Sequence, residues 1–95
     1  MKLHPSETEL SGAWIASIQG LVKDDVCQRI EWLTTHHLRR IANSSKWGDW
    51  ETLYQDPSDG RFWELTFPQG EIQGGGPPRL TVLDVDKARM KYGLA

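Results

Sequence analysis

The chain reads as a small α+β fold, and three stretches predict it. From Asp24 to Ala42 apolar side chains recur at helical spacing. From Trp50 to Phe67 two aromatic-rich runs flank the turn Pro57-Ser58-Asp59-Gly60. After a short strand at Arg79–Leu83, Asp84 can cap a second helix that Gly93 ends. The expected order is β-α-β-β-β-α, a mainly antiparallel sheet with the long helix packed on one face. The 95 residues are expected to form one domain, 1–95, with a single core and little area to spare.

Taken in order, residues 1–12 carry little pattern, and Pro5 disfavours an early helix. Trp14-Ile15-Ala16-Ser17-Ile18, bracketed by Gly12 and Gly20, reads as the first strand, with Trp14, Ala16 and Ile18 on one face. Asp24 is an N-cap for a helix running to Ala42, with Asp25 in its first turn and Arg39 and Arg40 in its last. Val26, Cys27, Ile30, Leu33, Thr34, His37, Leu38 and Ile41 fall on one helix face. Trp32 projects from the opposite side, where it is covered by the N-terminal segment or a loop, or touches a partner.

The hairpin has a preferred register. Pro57 suits the second position of a type I turn, and Gly60 supplies the positive φ that returns the chain to a strand. Asp56 then faces Arg61 as a rim ion pair, Tyr54 faces Trp63, Thr52 faces Leu65 and Trp50 faces Phe67. Trp63, Leu65, Phe67, Trp50 and Tyr54 are expected in the core beneath the long helix. The other face holds Glu51, Leu53, Gln55, Phe62, Glu64 and Thr66. Shortening the loop by one residue would put Glu51 opposite Leu65 and bury a carboxylate. In the last strand, Leu80 and Val82 share a face.

Most chemistry is excluded by residue type and spacing. Cys27 is alone and falls on the apolar helix face, which fits a small core residue in a reducing compartment. His36 and His37 are adjacent on a helix and diverge by about 100°, so they cannot share a metal. His37 is expected as a satisfied core histidine and His36 as a surface one. Gly74-Gly75-Gly76 runs into two prolines and a strand, without the helix N-terminus that a phosphate cradle needs. That loop is a chain reversal or a partner contact. A net charge of −2 disfavours nucleic acid and membrane surfaces as partners. No run reaches the length of a transmembrane helix and the N-terminus has no signal-like apolar stretch, so the expected location is the cytoplasm. No cofactor, metal or catalytic residue is expected, and the protein is expected not to be an enzyme.

One charge feature stands out. Between Asp49 and Gly76 there are six acids (Asp49, Glu51, Asp56, Asp59, Glu64, Glu71) against Arg61 alone. Leu53–Leu80, LYQDPSDGRFWELTFPQGEIQGGGPPRL, with Asp24–Ala42 and Lys87–Leu94, resembles the bacterial immunity protein 27 family, the antidotes of polymorphic toxin systems. The combined hairpin and Gly-Gly-Gly-Pro-Pro loop carry that resemblance. It implies a small cytoplasmic α+β protein that binds and blocks the C-terminal domain of a cognate toxin. It brings no catalytic residues. An acidic face would steer the protein to a basic target such as a nuclease, with aromatic anchors adding affinity. The expected contacts are Glu51, Asp56, Asp59, Phe62, Glu64, Glu71 and Trp32. The protein is expected as a monomer or weak homodimer, and the alternative is an adaptor or dimerisation module with no toxin partner.

Overall fold

The computed structural model describes residues 2–18, 20–44, 48–68 and 76–94, with the side chains of all but Leu21, Ser44, Gly48, Asp49 and Trp50. In chain order these form β1 (Glu9–Ser11), β2 (Trp14–Ser17), β3 (Gly20–Lys23), α1 (Asp25–Trp32), β4 (Arg39–Ser44), β5 (Gly48–Gln55), β6 (Phe62–Thr66), β7 (Arg79–Leu83) and α2 (Val85–Tyr92). Five strands make one antiparallel sheet, ordered β1-β7-β6-β5-β4, and β2 with β3 makes a separate ribbon. The architecture is α+β, as the sequence predicts.

The hairpin forms in the expected register, with Tyr54 opposite Trp63 and Thr52 opposite Leu65. Gly60 has φ +79° at the turn, and its N–H donates to the Asp56 carbonyl at 2.8 Å. The ladder ends at Glu51 opposite Thr66, so the expected Trp50–Phe67 pair lies beyond it. Trp63 is fully buried at 0% exposure and joins Leu10, Ile30, Leu33, Leu38, Tyr54 and Leu80 in the core. Leu65 and Val82 pack against this cluster as half-buried neighbours. Asp84 caps α2 by accepting from the Lys87 N–H at 2.9 Å, and Gly93 ends the helix.

The first half of the chain departs further from expectation. Asp24 does cap α1, accepting from the Cys27 N–H at 2.7 Å, but the helix stops well short of Ala42. Leu33–His37 is a π-helical turn, closed by Leu38 N–H donating to the Leu33 carbonyl at 2.6 Å, and the chain then becomes β4. The Thr34 hydroxyl donates back to the Ile30 carbonyl at 2.9 Å, a local bond that competes with regular helix. Pairing with β5 outweighs the helical spacing of Leu38 and Ile41, and a bulge between Arg40 and Ala42 leaves Ile41 out of the ladder. The expected first strand ends at Ser17, pairs with β3 rather than the main sheet, and leaves Ile18 fully exposed at the turn. β1, in the stretch with little pattern, pairs with β7 through Leu10 opposite Leu80.

Candidate functional site

Side-chain alternation gives the hairpin two faces, and a helix lies over each. Trp63 and Tyr54 face α1. Glu51, Leu53 and Glu64 face the other way, beneath α2, whose Ala88 is also fully buried.

On the α1 side, Asp56 faces Arg61 as expected, its N–H donating to the Arg61 carbonyl at 2.9 Å, but its carboxylate forms no rim ion pair with the Arg61 guanidinium. It is 1% exposed, and its Oδ1 accepts from the Ser58 N–H at 2.8 Å and sits 3.1 Å from His37 Nε2. The π turn makes this contact possible. An extra residue in the turn stacks positions five apart, so the His37 ring lies parallel to Trp32 (6.1 Å, 15°) and points at the hairpin. Trp32 is therefore half-buried against the core rather than projecting from the far side of the helix. His37 is a satisfied histidine at the edge of the core, its side chain 9% exposed, and His36 is exposed, both as the sequence suggests.

Arg61 takes other partners. Its Nε donates to Asp59 Oδ2 at 2.7 Å, its guanidinium lies 4.9 Å over the Trp63 ring, and it reaches the carbonyls of Glu7 (2.7 Å) and His4 (3.2 Å). The Arg61 N–H also donates to Asp59, and this bond is the chief cause of that carboxyl's lowered pKa. Glu7 is gripped by the Arg29 fork at 2.6 and 2.7 Å, and the fork holds its pKa down at about 2.

On the α2 side, Glu51 and Glu64 do come together, but around a cation. Lys91 Nζ stands 2.9 Å from Glu51 and 2.6 Å from Glu64, and the Tyr92 hydroxyl donates to Glu64 at 2.8 Å. Glu64 is only 8% exposed. Burial alone would lower the Lys91 pKa, and the two carboxylates outweigh it and raise it. Burial, reinforced by Glu64, drives the Tyr92 hydroxyl well above its ordinary range. Neither acid stands on a solvated strand face.

The expected contact residues thus divide. Asp56 and Trp32 are joined through His37 on the α1 side; Glu51 and Glu64 are clamped under α2. Asp59 and the half-buried Phe62 lie at the hairpin turn and the strand beside it. Glu71 and most of the Gly74–Gly76 loop lie outside the described residues. Sequence reasoning missed Lys91 and Tyr92 as partners of the acids. The signal was present: Ala88, Lys91 and Tyr92 recur at helical spacing and define the face of α2 that meets the sheet. Cys27 is buried, with its Sγ donating to the Ala13 carbonyl at 3.4 Å; desolvation raises its pKa and keeps it a thiol. Among the described residues, no three His, Cys, Asp or Glu side chains are grouped to hold a metal. No described helix is long and apolar enough to cross a membrane.

Comparison with curated proteins and with solved structures returned no match. The family model described as Immunity protein 27 matches residues 17–84, from the end of β2 to the cap of α2, and so takes in α1, the whole hairpin and β7. That span covers well over half of the chain, and the chain belongs to the Immunity protein 27 family.

Proposed function

We propose that this immunity protein neutralises its cognate toxin by stoichiometric binding in the cytoplasm, as a monomer or weak homodimer, with no catalysis of its own. The observation that supports this best lies within the family span: among the described residues, the buried acids Asp56 and Glu64, His37 and Cys27 are committed to the fold. Asp56 holds His37 and the turn, Glu64 holds Lys91 and Tyr92, and Cys27 is buried with its thiol donating to the Ala13 carbonyl. What remains accessible is recognition surface.

The target is a basic toxin domain, of which a nuclease is the first candidate, since a polyanionic substrate selects a cationic enzyme. The contact is centred on the hairpin turn, where Asp59 and Phe62 offer a carboxylate and an aromatic edge, with Glu71 as a further acid. Asp56, Glu51, Glu64 and Trp32 support that surface from within: they fix the hairpin between α1 and α2. Calorimetry against the toxin domain encoded beside this protein, at low and high salt, tests the reading. One-to-one nanomolar binding that weakens with salt is expected. Ser58→Lys, which places a cation on the turn while keeping the Asp59–Arg61 bonds, should weaken it by about tenfold. An absence of binding at both salt concentrations rejects the toxin reading.

A further inference from the structure

Strand edges invite pairing, and proteins usually protect them with charge, brevity, proline or a bulge. Among the described residues, β1 is three residues long and carries Glu9. β4 has two register shifts and exposes Arg39 and Arg40. β3 ends in Lys23 and runs into α1. β2 is different: Trp14-Ile15-Ala16-Ser17 contains no charge, no proline and no bulge.

The ladder shows which backbone groups of β2 point outward. Gly12 N–H donates towards β7, to the Pro78 carbonyl at 2.8 Å, whereas the Ala13 carbonyl accepts from Asp24 N–H at 3.1 Å, beyond β3. The hydrogen-bonding side therefore alternates from residue to residue, and Ile15 faces Val22 within the ribbon. The N–H and C=O of Trp14 and Ala16 point away from β3, onto the side where Pro78 stands. An open cleft of about 400 Å³ lies there, lined by Gly12, Trp14, Pro68, Pro77, Pro78 and Arg79. Pro77 and Pro78 have no N–H, so this wall offers no donor to the outward carbonyls of Trp14 and Ala16. Ile15 and Val22 are exposed on one face of the ribbon and Ile18 at its tip. A two-stranded ribbon is marginal in water without a third strand or a cover.

We propose that β2 accepts an extended strand of the toxin domain as the third strand of the ribbon, with alternate side chains entering the cleft beside Trp14. This rests on the toxin-binding reading above. The edge dictates the occupant: unpaired main chain in extended form, an apolar or aromatic side chain towards Trp14 and the prolines, and an aliphatic one on the Ile15–Val22 face. A second copy of this chain is a weaker fit. The four-residue edge falls far short of the roughly 1,200 Å² of a stable interface. It adds usefully only to a partner that is also held at the hairpin turn.

Ala16→Pro tests the proposal in the full chain, because it removes an outward N–H and blocks the edge without touching the ladder to β3. Against the toxin domain encoded beside this protein, Ala16→Pro should weaken binding by about tenfold or more, and Ala16→Val, which keeps the N–H, by less than about twofold. In hydrogen exchange on the wild type, the Trp14 and Ala16 amides should become protected on complex formation. Unchanged exchange at these amides, or full affinity in Ala16→Pro, overturns strand addition and leaves the toxin reading standing. A wild type that binds no toxin overturns both. A dimer of this protein that forms with concentration and is lost in Ala16→Pro assigns the edge to a second copy and overturns the toxin strand.

Discussion

At the scale of single residues, Trp63 and Gly12 carry the most consequence for their size. Trp63 is fully buried between the α1 core residues and the Arg61 guanidinium. Trp63→Ala should cost roughly 3–5 kcal/mol, read as a lower midpoint in urea unfolding, because a large cavity opens where the two layers meet. Gly12 sits where β1, β7 and α1 converge. A Cβ there would overlap Cys27 Sγ and press on the Pro78 carbonyl at 3.0 Å. Gly12→Ala should destabilise by about 1–3 kcal/mol. Adding Cys27→Ala should recover part of that loss, and a double-mutant cycle measures how much. Trp63 was legible in sequence because alternation around a well-marked turn places it opposite Tyr54. The partner of Asp56 was not, because His37 arrives from 19 positions earlier through a turn that local sequence does not announce.

At the scale of elements, caps and turns behave as local chemistry predicts. Asp24, Asp84 and Gly60 each do what their side chains or backbone freedom allow. The end of α1 does not follow local chemistry: Leu38 and Ile41 fit a helical stripe, yet the segment gains more as an edge strand beside β5. Attachment of α2 to the sheet is the other long-range outcome, and Lys91 is its polar centre. Lys91→Met leaves Glu51 and Glu64 facing each other with no cation, and should cost about 1–3 kcal/mol. Lys87→Met, on an exposed side chain 3.9 Å from Asp84, should stay within about 0.5 kcal/mol. Equilibrium unfolding of the two variants side by side distinguishes a clamp from a surface charge.

At the scale of the molecule, the N-terminal segment is strapped across α1 and the hairpin turn. Arg29 holds Glu7 and the Lys2 carbonyl, Arg61 holds the carbonyls of Glu7 and His4, and Leu3 packs on the core. The strap has a pH signature. Glu7 titrates near 2 in the folded protein against an ordinary 4.5, so the unfolded chain takes up its proton first. Its contribution is present above pH 4.5 and is lost as pH falls from 4.5 towards 2. Glu7→Gln should lower the melting temperature at neutral pH and reduce its fall across that acid window. Parallel melting curves for wild type and variant check it. The molecule measures 48 × 29 × 19 Å along its principal axes.

By itself the sequence determined the α+β class, the hairpin register, the last strand and helix, and the caps, because each depends on neighbours within a few positions along the chain. It also identified the family, through the residues of the hairpin and the loop after it. Tertiary structure alone decided where α1 stops, that β1 completes the sheet edge, and that Asp56, Glu51 and Glu64 face inward to His37 and Lys91. The physical reason is common to all three. A carboxylate count shows how much charge a segment carries, but whether that charge meets solvent depends on which distant helix covers the strand. α2 and the π turn supply those covers only when the chain is folded.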